Sequence, residues 1–258
     1  MNEFVNTTGA KIVAAPKKKS KKSKIPSNVP QGNCLFIAPS NSGKTNLIIN
    51  LLLRNSFKYL EEYKKIYIMS PTIHLDDAWY PMQEYINQER EKRERLWMKL
   101  KRKGVHPRRI PENLRPENDQ IIVIDEYDDE LLGELLKNSS KEKMLVILDD
   151  LAESLPKSTK KSNLEKIFIR GRHSNVYCWI TSQKYVKVNP TIRLNSPSYV
   201  LFNANTNEKR KIAEELATTS VDDFLDMYDY ATEEKYNFLY VNQKAQDRYS
   251  KNFEVILK

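Results

Sequence analysis

Cysteine, histidine and long apolar runs are what this 258-residue chain has least of. Its two cysteines, Cys34 and Cys178, lie far apart and each falls at or inside an apolar run, so neither a disulfide framework nor a metal-ligand spacing exists. A reducing compartment is expected. The three histidines, His74, His106 and His173, are scattered; they suit neither a zinc site nor a nucleophile–base triad. Met1-Asn2-Glu3-Phe4 leads into no apolar segment, so no secretory signal is expected. The longest apolar stretch, around Leu47 to Leu53, is interrupted by Asn50 and is too short to span a bilayer. These absences predict an intracellular, soluble protein without a membrane partner. The guanine-reading pattern Asn-Lys-x-Asp is missing as well, which argues against a GTPase.

Positive charge is plentiful, and it is unevenly placed. The net charge is +9. Seven lysines and no acid lie between Lys11 and Lys24, and eleven Lys/Arg face six Glu between Gln83 and Asn118. Removing both stretches leaves about −3 for the remainder. Residues 1–30 therefore read as a disordered basic tail and linker, since like charges repel and nothing apolar offsets the cost of ordering. Such a tail suits a phosphate-backbone arm, a nuclear-import signal or a solubilising segment. Residues 83–118 read as a charged helical insertion in a domain that spans 31–258. Its helix, Gln83 to about Lys103, carries opposite charges four apart (Glu89/Arg93, Glu91/Arg95) and a narrow apolar seam of Leu96, Trp97 and Leu100. It is either a solvated helix or a surface that faces nucleic acid.

The most specific stretch is Cys34-Leu35-Phe36-Ile37-Ala38-Pro39-Ser40-Asn41-Ser42-Gly43-Lys44-Thr45-Asn46. An apolar run reads as a buried strand, a polar turn follows, and Gly-Lys-Thr opens an apolar-periodic helix running to about Tyr63. That order is the context of a phosphate-binding loop. The loop Pro39, Ser40, Asn41, Ser42, Gly43, Lys44, Thr45 and Asn46 would cradle a polyphosphate with the helix dipole and with the backbone N–H groups that follow Pro39, which has none of its own. Lys44 would reach the β- and γ-phosphates of ATP, and Thr45 would hold Mg²⁺. One position departs from G-x-x-x-x-G-K-[ST]: Ala38 replaces the first glycine, where Ala tolerates fewer backbone conformations.

Further strands are expected at Lys65–Thr72, Ile121–Glu126, Leu145–Asp150, Val176–Gln183 and Ser198–Asn203, with intervening helices that include Asp128–Lys137 and Leu164–Ile169. Strand–helix–strand alternation predicts an α/β fold with a mainly parallel central sheet flanked by helices. Residues 207–258 are expected to form a small α+β extension: helices Asn207–Ala217 and Val221–Tyr230, then strands Asn237–Val241 and Asn252–Leu257 at a sheet edge.

Two strands compete for one task, because Asp125-Glu126 and Asp149-Asp150 both end apolar runs. A nucleotide hydrolase needs one acid to order Mg²⁺ and a second to polarise the attacking water. The second pair leads, about thirty residues on, to a strand ending in Gln183. In ring ATPases such a strand lies between the phosphate loop and the acidic strand, so Asp149-Asp150 is preferred. Arg170 and Arg172, at the end of the preceding helix, are either solvated C-terminal charges or a finger supplied to a neighbouring subunit.

With these motifs in order, the chain resembles the DNA-packaging ATPases of large eukaryotic DNA viruses (the poxvirus type), a branch of the FtsK–HerA superfamily. The residues that carry the resemblance are Ala38–Thr45, Ile147-Leu148-Asp149-Asp150-Leu151, Arg170-Gly171-Arg172-His173, Thr181-Ser182-Gln183-Lys184 and Ile192-Arg193-Leu194-Asn195. It covers about residues 33–205. The resemblance implies a RecA-like P-loop NTPase sheet, a homo-oligomeric ring (hexamer or pentamer), Mg²⁺-dependent ATP hydrolysis and translocation of double-stranded DNA into a capsid. A capsid or portal protein is an implied partner, and the viral assembly site and virion are the implied locations. It also implies roles: Lys44 and Thr45 on phosphates and metal, Asp149 on the metal, Asp150 as water activator where the superfamily often has Glu, Gln183 as γ-phosphate sensor, and Arg172 as finger with Arg170 and Arg193 behind it. A slow nucleotide-binding scaffold or switch is the alternative, and DNA-stimulated turnover separates the two.

Overall fold

The computed structural model describes residues 23–137, 142–151 and 162–257. The lysine run before Ser23, expected as a free tail, lies outside the described residues. From Ser23 onward the expected linker is packed on the domain. Ile25 and Val29 are buried, the Lys24 amide donates to Glu62 Oε2 at 3.0 Å, and the Tyr59 hydroxyl donates to the Pro30 carbonyl at 2.6 Å.

Among the described residues, nine strands form one sheet in the order β3-β2-β4-β5-β1-β6-β7-β8-β9. β1 (Cys34–Ile37), β2 (Tyr63–Met69), β3 (Ile121–Ile124), β4 (Lys143–Leu148), β5 (Val176–Ser182) and β6 (Ser198–Phe202) run parallel. β7 (Phe238–Asn242), β8 (Tyr249–Lys251) and β9 (Val255–Leu257) continue the sheet antiparallel. The central strands are apolar throughout because both faces are covered, as parallel sheets require. One face packs α4 (Asp129–Lys137), α5 (Asn163–Arg170), α6 (Pro190–Leu194), α7 (Thr206–Leu216) and α8 (Val221–Ala231), with Ile37, Val146, Cys178, Ile180 and Leu239 in the core. The other packs α1 (Lys44–Leu53), α2 (Tyr59–Glu62) and the start of α3 (Tyr80–Arg102) over Phe36, Ile68, Ile147 and Trp179. This is an α/β, RecA-like architecture.

Three expectations are corrected. The first helix stops at Leu53 rather than near Tyr63. Arg54 is extended and Lys58 is left-handed at φ 61, so the chain turns and restarts as α2. This turn carries Tyr59 and Tyr63 into the core, with Tyr59 edge-on to Trp179 at 5.0 Å. The seam proposed for the charged helix is not its anchor either. Leu96 is exposed, and Trp97 and Leu100 are only half-buried. Met82, Tyr85 and Ile86 make the apolar contact instead, and Arg90 and Arg93 pair with Asp119. A 23-residue helix is ~34 Å long, and Met82, near its start, is its buried residue. Arg93 thus turns from Glu89, which pairs with Lys92, whereas Glu91–Arg95 forms as expected at 3.2 Å. Finally, the strand expected at Asn252–Leu257 is strand only over β9, Val255–Leu257, and its first residues, with left-handed Asn252 and Phe253, form the turn of the β8–β9 hairpin.

Candidate nucleotide-binding site

Parallel strands place all their C-terminal ends on one rim of the sheet, the usual side for ligands in open α/β folds. β1 delivers Ala38–Gly43 to that rim, and α1 begins directly behind it at Lys44. The loop turns at Asn41, φ 60, and at Gly43, φ 85. Glycine meets the second requirement at no steric cost. The Ser42 hydroxyl donates to the Pro39 carbonyl at 2.7 Å and closes the turn. Ala38 takes no left-handed conformation. It continues the ladder, its amide donating to Ser182 O at 3.0 Å, and its methyl is buried in the core. Its departure from glycine therefore costs nothing here.

β5 lies between β1 and β4, the strand arrangement on which the choice of Asp149-Asp150 depends. Lys44 Nζ lies 2.8 Å from Asp150 Oδ1 and 4.0 Å from Asp149 Oδ1. The Thr45 hydroxyl donates to Asp149 Oδ2 at 3.3 Å. From the strand between, the Thr181 hydroxyl donates to Asp149 Oδ1 at 2.7 Å and accepts the Asp150 amide at 3.0 Å. Asp150 is left-handed, φ 53, and both carboxylates face Lys44 Nζ. The Asp149 side chain is 1% exposed. Burial raises its carboxyl above the ordinary range, and the Lys44 charge and the Thr181 and Thr45 hydroxyls pull it back down. A buried acid and an ammonium tolerate each other only because they are paired and hydrogen-bonded. Two hard oxygen donors converge where Thr45 and Asp149 meet, a set that suits Mg²⁺.

Gln183 follows the last residue of β5 and is exposed on the same rim, between the loop and the acid pair. Arg170 and Arg172 are not on it. α5 runs back along the sheet and ends at Arg170, where Gly171 presses against β5; a Cβ there would meet Val176 O at 2.5 Å. Arg172 consequently lines a cleft with Asn33 and Pro197, which precede β1 and β6. This rim is the length of β5 away, roughly 20 Å, so neither arginine reaches the phosphate loop of its own chain. Both are exposed. Arg193, held in reserve by the sequence reading, is committed: its guanidinium donates to Glu215 and to Val188 O, and lies 4.8 Å over the Tyr185 ring. Asp125 and Glu126 end β3, at the far edge beyond β2, and Asp125 pairs with His74 at 3.1 Å. Among the described residues no cluster of three or more His, Cys, Asp or Glu could hold a metal by itself.

In the sequence Thr181 stands out only as part of the Thr181-Ser182-Gln183-Lys184 motif. Its hydroxyl joins both acids, and only knowledge of the strand order gives it that place. Tyr236 gave no signal at all, yet its ring stands against Gly43.

Residues 123–244 match the family model described as Poxvirus A32 protein. The matched segment holds the acid pair, both exposed arginines, Thr181 and Gln183, while the phosphate loop precedes it. No curated protein sequence matches the chain. Among solved structures, the genome packaging NTPase B204 from Sulfolobus turreted icosahedral virus 2, in complex with ATPγS, superposes with a TM-score of 0.55 at 13% identity, covering 88% of this chain and 98% of that one. B204 from Sulfolobus turreted icosahedral virus, described as a DNA-packaging ATPase, gives 0.55 at 12%, covering 86% and 97%. VirB4 of Thermoanaerobacter pseudethanolicus gives 0.50 at 12%, covering 83% and 87%. Through residues 123–244 the chain is thus related in sequence to the Poxvirus A32 family, and its fold is the one shared by these viral packaging NTPases and VirB4.

Proposed function

We propose that this chain is a Mg²⁺-dependent ATPase that moves double-stranded DNA and packages a viral genome into a capsid, acting as a homo-oligomeric ring. The observation that carries this reading is the convergence, from three adjacent strands, of Lys44, Thr45, Thr181, Asp149 and Asp150 at the mouth of the phosphate loop. The relatives add weight: two are described as packaging enzymes, and one of these was solved with an ATP analogue.

The residues divide the chemistry. Lys44 and the loop amides bind and orient the phosphates, and Thr45 with Asp149 holds Mg²⁺, which would neutralise charge developing on the transferred phosphoryl group. Asp150, within reach of Lys44 but less buried than Asp149, orients the attacking water. Gln183 reads the γ-phosphate from the middle strand. Arg172, with Arg170 beside it, serves the site of a neighbouring subunit, which fits their position on the opposite rim. In this reading residues 31–258 form the ATPase domain, with 83–118 and 207–258 as additions, and the net charge of +9 favours a polyanionic cargo.

Turnover with and without duplex DNA tests the proposal. Duplex should raise ATP hydrolysis several-fold, by order-of-magnitude expectation for a coupled motor. Mixing Arg172→Ala with Asp150→Ala subunits should restore activity that neither variant has alone. Turnover indifferent to DNA would replace the motor with a slow switch, and mixtures as inactive as their parts would remove the shared site.

A further inference from the structure

The nucleotide has two ends, and the sheet order assigns a side to each. The acid pair lies on the β5–β4 side of the phosphate loop, so the terminal phosphate points that way. The rest of the nucleotide is left to lie on the other side, over β6 and β7. β7 runs antiparallel to β6 and pairs Phe238 with Phe202 at the end of β6, which brings the segment 232–237 onto the same rim. Tyr236 stands there. Its ring edge is so close to Gly43 that a Cβ on the glycine would meet Tyr236 Cδ1 at 3.0 Å.

Packing does not explain this tyrosine. Its neighbours Phe238 and Tyr240 are buried in the core, whereas Tyr236 is 57% exposed. Its backbone is left-handed, φ 73, which is unusual for a bulky residue and is retained chiefly where surroundings or function require it. Lys235 Nζ lies over the ring, 4.8 Å from its centroid, adding a cation at the same aromatic side chain. An exposed aromatic ring on a left-handed backbone and an ammonium flank the loop on the side opposite the acid pair.

We propose that Tyr236 is the platform on which the purine base of the bound nucleotide stacks, with Lys235 beside it as a cation for the sugar–phosphate end. This inference rests on the nucleotide-binding reading above and adds the residue that recognises the base. Because every base offers a π-face, stacking on one ring favours large bases over small ones and separates ATP from GTP only weakly.

The test is competition of ATP and inorganic tripolyphosphate against a fluorescent ATP analogue, on the full chain, for wild type, Tyr236→Ala and Tyr236→Phe. Tyr236→Ala should weaken ATP binding by about tenfold or more and leave tripolyphosphate unchanged, while Tyr236→Phe keeps both. In Tyr236→Trp, ATP should quench the added indole emission and tripolyphosphate should not. An alanine variant that binds ATP as wild type does overturns the inference, as does one that loses both ligands equally, since the ring would then merely brace the Gly43 turn. Wild-type protein that binds neither ligand would instead overturn the nucleotide-binding reading itself.

Discussion

β3 and β4 are short apolar strands in the same sheet, and each runs into a pair of acids, Asp125-Glu126 and Asp149-Asp150. Their surroundings share almost nothing. The Asp149 side chain is 1% exposed and touches two hydroxyls and a lysine, whereas Asp125 is 71% exposed and pairs with His74. A local pattern of apolar residues followed by acids marks where a strand ends. Whether those acids gather buried partners depends on which strands stand beside them, and that is decided by residues far away in the chain.

The comparison breaks most readily in turnover. Lys44→Ala and Asp150→Ala should each lower ATP hydrolysis by about 100-fold or more, and Asp125→Ala should leave it within about twofold, as surface substitutions usually do. An inactive Asp125→Ala beside an active Asp150→Ala would reverse the assignment. The next largest effect belongs to Thr181, the link that β3 lacks. Thr181→Val strands the Asp150 amide and removes a hydrogen bond to Asp149, which should cost ~1–3 kcal/mol of stability in chemical denaturation together with most activity. Thr181→Ser should restore both, and equal losses in the two variants would show that the methyl group matters rather than the hydroxyl.

A third difference appears with pH. Burial raises the Asp149 carboxyl above its ordinary 3.8, so the folded chain holds that proton more tightly than the unfolded chain. This group's contribution to stability is greatest below the ordinary value and is lost as pH rises through the raised folded value. Asp149→Asn should therefore melt at or above the wild-type temperature at neutral pH, although it loses activity. Wild type should gain relative to the variant as the solution is acidified toward 3.8. A variant several degrees less stable at neutral pH would mean that the Lys44 pairing outweighs burial. The smallest effect is expected at the other pair: His74→Ala should change stability by at most ~1 kcal/mol, the scale of an exposed ion pair.

Much of this was readable in advance. Ile37 through Lys44, the β4 acids and the Gln183-tipped strand each combine an apolar run with polar residues at its end, so sequence locates both the strand and its rim. Other features were hidden by residues that serve tertiary packing. Leu60 and the tyrosines around it continue the apolar content of α1, so nothing announces the turn at Lys58. Phe253 sits in a tight turn with φ 69, yet its ring is buried 4.7 Å from Phe238 and 4.8 Å from Tyr240. An apolar turn residue of that kind makes a hairpin look like a single strand. Arg193 reads like Arg172 as an exposed cation, and only the fold brings Glu215 to it.

The torsion at Asp150 bears on why an aspartate occupies a position that resembling ATPases often fill with glutamate. Short polar side chains enter the φ > 0 basin with the least penalty, and longer ones seldom do so. Lengthening this residue by one methylene would extend the carboxylate's reach while opposing the bend that aims it. The choice of acid thus doubles as a choice of backbone shape, and the reach of the carboxylate and the local geometry cannot be tuned independently at this residue.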